Sequence, residues 1–196
     1  MRHEKGSALI TIVLVVFVLT MVGIAGVLYM TVEDRISGND QILKGALYAA
    51  ENGLRRGERI ITDEAVDQAG LSAMLAYTSS TIPDLTPPGG GYNATILHSA
   101  TMATDFYKVA VPTPMGVGGA LSYSLYVRNN IEDSSKNATV DGDKRINLIA
   151  VGEFTTASGR TLQKILEEQM WVGGAGGMGG LQKGVNAGGT GAQGIK

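Results

Sequence analysis

A long apolar run lies close to the N-terminus of this chain. From Ala8 to Met30 no side chain carries a charge, and the polar groups are three hydroxyls. A bilayer core of about 30 Å is crossed by roughly 20 apolar residues in a helix, so this run is long enough to span a membrane. Few helices of soluble cores are apolar all round over such a length. We therefore predict a transmembrane helix at residues 7–30.

A cleaved secretory signal is the first alternative for this run. Such signals have an apolar core of about 7–15 residues followed by a small-x-small cleavage site. Here the run is longer and continues into Tyr29-Met30-Thr31-Val32-Glu33, which favours a retained anchor. Arg2 and Lys5 in the short leader favour a cytoplasmic N-terminus. Residues 31–196 are then expected on the other side of the membrane, attached to it by a single pass.

The leader ends in a recognisable motif. Lys5-Gly6-Ser7-Ala8-Leu9-Ile10 resembles the cleavage site of type IV prepilins, which a prepilin peptidase cuts after the glycine before the new terminus is methylated. Gly6 would be the scissile residue and Ser7 the new terminus, and the apolar helix would be retained. The sequence from about residue 5 to 58 resembles the N-terminal module of PilX-type minor pilins, through Thr20, Gly23, Ala25, Glu33, Gly38-Asn39 and Ala49-Ala50-Glu51. A weaker likeness returns at 143–170.

One position departs from the wider pilin pattern. Most pilin-like proteins carry a glutamate five residues into the mature chain, where this chain has Thr11. In the family that carboxylate is thought to neutralise the terminal amine of a neighbouring subunit, because an unpaired charge in apolar surroundings is costly. PilX-type minor pilins and tip pseudopilins resemble this chain in lacking it. By analogy, the departure implies a tip or initiation position rather than a major filament subunit.

The fold class expected from the resemblance and the residue pattern is α+β and type IV pilin-like, a long N-terminal helix packed on an antiparallel β-sheet. The predicted parts are a leader (1–6), a transmembrane helix (7–30), a periplasmic half of the same helix (31–61), a globular head (62–172) and a disordered glycine-rich tail (173–196). Large aliphatic residues at helical spacing, Ile36, Leu43, Leu47, Leu54 and Ile61 with Ala50, predict the stripe that joins this helix to the head.

After residue 61 the pattern predicts a shorter helix and then strands. Residues 63–77 are expected to form the helix, capped by Thr62 or Asp63, and Pro83, Pro87 and Pro88 then interrupt regular structure. Period-2 alternation follows and predicts four or five strands in a mainly antiparallel meander, at 92–98, 105–111, 121–127, 145–151 and 160–169.

Six glycines lie between residues 23 and 57 of the predicted long helix: Gly23, Gly26, Gly38, Gly45, Gly53 and Gly57. Each costs roughly 1 kcal/mol relative to alanine in a helix interior. Two explanations are open. The glycines allow close packing between membrane helices, or they let the helix bend or melt when it enters a filament.

Oxygen ligands concentrate in residues 129–143. Glu132, Asp133, Asp141 and Asp143, with Asn129 or Asn130, could surround a hard cation such as calcium, which takes 6 to 8 oxygen ligands. The alternative is a turn rich in Asn and Asp, whose side chains bond the local backbone. The sequence does not decide between a cation site and such a turn.

No catalytic constellation stands out in the sequence, so we expect no enzyme. There is no cysteine, and of the two histidines, His3 lies in the leader and His98 at the end of a predicted strand, where a surface role is the simplest. Gly174 to Gly179 match G-x-G-x-x-G without the acidic residue about 20 positions later that a nucleotide site requires. A net charge of -2 gives no nucleic-acid footprint.

The resemblance therefore implies a minor pilin that initiates or tips a type IV pilus. Its implied partners are other minor and major pilins, the prepilin peptidase and the inner-membrane assembly platform. A minor pseudopilin of a type II secretion system is an alternative from the same class. A membrane-anchored adhesin or binding module that does not polymerise is an alternative from another class.

Overall fold

A computed structural model of the chain describes residues 4–65, 67–87, 90–112 and 118–172. Two helices come first, α1 (Glu4–Glu64) and α2 (Gln68–Ala76). Seven strands follow: β1 (Thr95–Ile96), β2 (His98–Ser99), β3 (Thr104–Asp105), β4 (Val109–Val111), β5 (Gly119–Asn129), β6 (Arg145–Thr156) and β7 (Thr161–Trp171). The glycine-rich tail at 173–196 lies outside the described residues.

The chain divides into two compact units, Met1–Gln41 and Ile42–Lys196. In the first unit α1 is continuous, and every side chain from Leu9 to Ser37 is exposed. The second unit contains the rest of α1, with α2 and the strands. We call this second unit, from Ile42 onward, the head.

The head is built on a five-stranded antiparallel sheet. Strands β5, β6 and β7 form a meander, each paired with the next over eleven residue pairs. Along its other edge β5 pairs with β1 near one end and with β4 near the other. Strands β2 and β3 form a separate small hairpin. Helix α1 packs on this antiparallel sheet within the head, so the expected α+β fold class is confirmed.

Both faces of the sheet are covered. Successive strand residues point to opposite faces, and one face of β5 and β6 packs with the end of α1 and with α2 through Tyr123, Leu125, Leu148 and Ala150. The opposite face is covered by residues from the segments 77–87 and 90–96. There Tyr126, Ile149 and Val151 pack with Ala94 and Ile96, and with the partly buried Tyr77, Ile82 and Leu85.

The helix stripe that contacts the sheet differs from the one predicted. Ile36, Leu43 and Leu47 are exposed, with 65%, 37% and 38% of their surface accessible. The buried positions are mainly small residues at helical spacing, followed by two isoleucines near the end of α1: Ala46, Ala49, Ala50, Gly53, Gly57, Ile60 and Ile61. The prediction was wrong for Leu43 and Leu47 because the sheet lies too close to this part of the helix for large side chains between them. Ile36 belongs to the first unit.

Three of the six glycines are explained by this close approach. A Cβ at Gly45 would lie 3.0 Å from the Phe154 ring, one at Gly53 would lie 3.0 Å from the Tyr123 ring, and one at Gly57 would lie 2.8 Å from a Leu148 methyl group. Around Gly23, Gly26 and Gly38 no described atom lies within 4 Å of such a Cβ. The glycines of the second half of α1 therefore serve helix–sheet packing, which neither sequence interpretation included.

The second helix begins later than predicted. Helix α1 continues to Glu64, and the N-cap of α2 is Asp67, whose side chain accepts a hydrogen bond from the Gly70 amide at 2.8 Å. An aspartate with extended backbone at this position satisfies an amide that has no partner within the helix. Thr62 and Asp63, the predicted caps, lie inside α1.

We predict that alanine destabilises the head strongly at Gly152 in β6, less at Gly57, and not at Gly38. A Cβ at Gly152 in β6 would lie 2.1 Å from the Ala46 carbonyl oxygen and 2.4 Å from the Ala50 nitrogen, both backbone atoms that cannot move aside. Overpacking of this kind should cost about 3 kcal/mol or more. The Leu148 methyl groups at Gly57 can partly rotate away, so Gly57→Ala should cost less.

Gly38→Ala is the matched control, because its Cβ meets no neighbour and alanine favours a helix by up to about 1 kcal/mol. Chemical unfolding of the full chain in detergent, followed by the fluorescence of Trp171, measures the three free energies. Equal stabilities of Gly152→Ala and Gly38→Ala would contradict the packing described.

Candidate functional site

The predicted processing residues lie at the start of helix α1. The backbone is helical from Glu4, so Gly6 and Ser7 lie in the first turns of α1. Thr11, the position without the usual glutamate, is exposed. Among the described residues one helix is long and apolar enough to cross a membrane. Its most apolar stretch of 18 residues has a mean hydropathy of 2.8, and none of that stretch is buried.

A second candidate site is the loop between β5 and β6. One oxygen from each of Asp133, Asp141 and Asp143 lies within 4.8 Å of the others. Asp133 and Asp141 are fully buried, and Asp143 is half-buried. Glu132, the fourth acidic candidate ligand in the sequence, is exposed and lies outside this cluster. We call the three aspartates the acidic cluster.

Asp133 is held by hydrogen bonds that favour its charged form. Its Oδ1 accepts from the Ser135 amide at 2.8 Å, and its Oδ2 accepts from the Gly142 amide at 2.7 Å and from Asn129 Nδ2 at 2.8 Å. Burial raises the pKa of Asp133, but these hydrogen bonds outweigh burial and hold the pKa below its ordinary value. The carboxylate is therefore an anion near neutral pH.

Asp141 is tied to helix α2. Its carbonyl oxygen accepts from Gln68 Nε2 at 2.6 Å, and its amide donates to Ser72 Oγ at 3.1 Å. Its carboxylate accepts from the amides of Lys144 and Arg145. Burial is the largest influence on Asp141 and raises its pKa, and the negative charges of Asp143 and Asp133 raise it further. The two hydrogen bonds from backbone amides lower the pKa, but they do not offset the rise. The surroundings of Asp141 therefore disfavour its charged form relative to a carboxyl group in water.

Asn129 is the residue around which the loop closes. It is fully buried at the end of β5, and its Nδ2 lies 2.8 Å from Asp133 Oδ2, 2.7 Å from the Asn137 carbonyl oxygen and 2.9 Å from the Val140 carbonyl oxygen. Its Oδ1 accepts from the Asn130 amide. From the sequence alone, Asn129 is only a candidate ligand. Its role depends on residues up to eleven positions away coming together, which local spacing does not reveal.

His98 is not a lone surface residue. Its Nδ1 lies 2.7 Å from Asp105 Oδ1 across the β2–β3 hairpin, and its ring stacks on Tyr77 with centroids 4.1 Å apart. Burial raises the pKa of Asp105. Hydrogen bonds from His98, Tyr77 and Ser79, with the electrostatic interaction with His98, lower it by more, so the pKa lies below its ordinary value. The pair ties the hairpin to the segment that covers the outer face of the sheet.

Comparison with known proteins identifies the N-terminal segment. Residues 5–55 match the family model described as PilX N-terminal. The resemblance inferred from the sequence is thereby confirmed, over about a quarter of the chain, and it supports assignment to the PilX-type pilins. Neither the curated proteins nor the solved structures contain a match to the chain. The family and the apolar helix together indicate a type IV pilin anchored in a membrane.

We predict that Asn129→Ala strongly destabilises the head. The substitution removes the donor that three oxygen atoms share in a buried place, and stranded buried acceptors should cost about 2–4 kcal/mol in total. Asn137→Ala is the matched control, because the Asn137 side chain is exposed and accepts only from Thr139. Its cost should stay within about 0.5 kcal/mol. Thermal unfolding of both variants tests this, and an equally small effect of Asn129→Ala would show that the loop closes without its amide.

Proposed function

We propose that this chain, whose residues 5–55 match the PilX N-terminal family, is a minor pilin that helps to initiate or tip the assembly of a type IV pilus. Its role is structural and not enzymatic. Prepilin peptidase cuts it after Gly6, and Ser7 becomes the methylated terminus of the mature chain. The proposed partners are other minor pilins, the major pilin and the inner-membrane assembly platform.

The family match is the observation that carries this proposal. It begins at Lys5, so it includes Gly6 and Ser7 together with the whole apolar run. A signal sequence would need only the apolar run, whereas the match continues to Arg55 within the head. Such a continuous match supports a segment that functions as one unit in the mature protein.

Thr11 supports a position at the tip. A glutamate here would need a neighbouring terminal amine, because a carboxylate in apolar surroundings is costly when it is unpaired. The threonine hydroxyl carries no charge, so this subunit needs no such neighbour. A subunit that begins a fibre is the one that lacks a partner on one side.

The head leaves apolar side chains of α1 available for packing against related helices. Leu43, Leu47 and Tyr48 are exposed, although the small residues beside them are buried against the sheet. Exposed apolar residues on a helix are suited to contact with another helix, since burial of apolar area favours association. We assign these side chains to contacts with neighbouring pilins.

The proposed location follows from the leader. Arg2 and Lys5 place the N-terminus in the cytoplasm under the positive-inside bias, and the head then lies in the periplasm. Before assembly the chain is a single-pass protein of the inner membrane. After assembly it lies at the tip of the pilus.

We predict that cells lacking this protein bear few pili, and that the wild-type chain restores them. Gly6→Val should fail to restore pili, because a β-branched side chain replaces the glycine at the scissile position. Ser7→Ala is the matched control and should restore them, because it leaves Gly6 and the apolar run unchanged. Electron microscopy of sheared fibres, with gold directed to an epitope on the head, counts the pili and locates the subunit.

Gold at one end of each fibre is the expected pattern. Gold along the whole shaft would contradict a tip position. Normal pili without the protein, combined with a loss of protein secretion, would instead identify a pseudopilin. Normal pili and normal secretion would leave an anchored binding module.

A further inference from the structure

We propose that Met102, in the turn between β2 and β3, is a modification site of the head. Hydrogen peroxide converts its thioether to a sulfoxide, and the new oxygen accepts a hydrogen bond from Arg56 of α1. The oxidised side chain then ties the turn to the helix more firmly than the reduced one does. The proposal concerns the head alone and does not depend on pilus assembly.

Met102 is a methionine that the fold exposes to solvent. In the described part of the head, 42% of its surface is accessible, whereas Met74 and Met170 are 9% and 4% exposed. The chain contains no cysteine, so the thioethers of methionine are the side chains that peroxides attack most readily. Because susceptibility follows exposure, Met102 should be oxidised before the other two.

The guanidinium group of Arg56 already lies beside the sulfur. Its Nη2 is 3.4 Å from Met102 Sδ, and the group lies over the buried ring of Phe106, 5.9 Å from the ring centroid. The ring supports the guanidinium group through a cation–π contact. Among the residues that the structure describes, no carboxylate forms an ion pair with Arg56. Its N–H groups can therefore donate to a stronger acceptor than sulfur.

The backbone of the turn is held in place independently of the Met102 side chain. The Met102 amide donates to Ser99 Oγ at 3.0 Å, and Thr104 Oγ1 donates to the Met102 carbonyl oxygen at 2.9 Å. The Ser99 hydroxyl donates to the carboxylate of Glu64 in α1, and the Ala100 amide donates to the other oxygen of that carboxylate at 2.9 Å. The turn is therefore anchored to the end of α1, and only the Met102 side chain has to adjust when the sulfur gains an oxygen.

The reaction needs no reagent other than peroxide. A lone pair of the Met102 sulfur attacks one oxygen of hydrogen peroxide, so that an S–O bond forms and the O–O bond breaks. The proton of the attacked oxygen passes to the departing oxygen, which leaves as water. The sulfur is oxidised by two electrons and the peroxide is reduced. The sulfoxide is polar and accepts hydrogen bonds better than the thioether, and bonds from charged donors are the stronger ones.

The consequence of oxidation at Met102 differs from that at a core methionine. A sulfoxide at Met74 or Met170 would place a polar oxygen in the apolar core, where burial without a partner is costly. At Met102 the oxygen meets solvent and the Arg56 guanidinium group. Oxidation there adds an interaction at little cost in desolvation.

The test treats the full chain in detergent micelles with hydrogen peroxide and follows each methionine by peptide mass spectrometry. Met102 should react at least about tenfold faster than Met74 and Met170. Thermal unfolding is then compared before and after oxidation, with Met102→Leu treated in the same way to account for the other methionines. Relative to that control, oxidation should raise the midpoint of the wild type by roughly 2–4 °C.

Variants of α1 test whether Arg56 is the partner. Arg56→Leu keeps an apolar side chain beside Phe106 and removes the N–H donors, so it should abolish the rise. The matched control Arg59→Leu alters an exposed arginine of the same helix and should keep the rise. Each variant is compared with its own untreated form, so a change in its starting stability does not affect the result.

A further variant tests the contact without an oxidant. Met102→Gln carries an amide oxygen on a side chain of similar length and should unfold at a higher midpoint than Met102→Leu. This advantage should disappear when Arg56 is replaced by leucine, because the two side chains then no longer interact.

Oxidation of Met102 no faster than that of Met74 and Met170 would overturn the proposal. A wild-type midpoint that falls or stays level relative to the control, or a rise that persists in Arg56→Leu, would overturn it as well. If Arg56→Leu fails to fold, the comparison of Met102→Gln with Met102→Leu decides the result, and equal midpoints of these two variants would count against the proposal.

Discussion

The close approach of helix α1 to strand β6 sets the position of the sheet in the head. At Gly152 the strand lies so near the helix that a Cβ would come within 2.4 Å of two of its backbone atoms. Only glycine on the strand and small residues on the helix fit at this separation. It fixes where the sheet lies along α1, and the register of β5 and β7 then follows from their pairing with β6.

This packing also separates two uses of one helix. Because alanine and glycine fill the face toward the sheet, the larger residues Leu43, Leu47 and Tyr48 remain on the surface. A helix that buried its large residues in its own head would have fewer to offer to another subunit. The arrangement is therefore consistent with a protein whose helix must serve both a head and an assembly.

The sequence predicted the elements with strong local signals. The apolar run, its likeness to PilX-type pilins and the three long strands all follow from patterns within a few residues. Of the four acidic residues named as candidate ligands, Asp133, Asp141 and Asp143 lie close together in the structure. The sheet-facing stripe of α1 was missed, because periodicity is judged from large aliphatic residues and this contact uses small ones. The role of Asn129 and the irregular layer over Tyr126 and Ile149 were missed because both depend on contacts between distant parts of the chain.

In the function proposed above, the apolar helix remains as a working part of the mature protein after removal of a six-residue leader. Intact mass and N-terminal sequencing of the protein from membranes, with and without prepilin peptidase, are the measurements to make first. We expect a chain that begins at methylated Ser7 when the peptidase is present and at the uncut leader when it is absent. A leader retained in both strains, or a mature chain that begins beyond Met30, would contradict it.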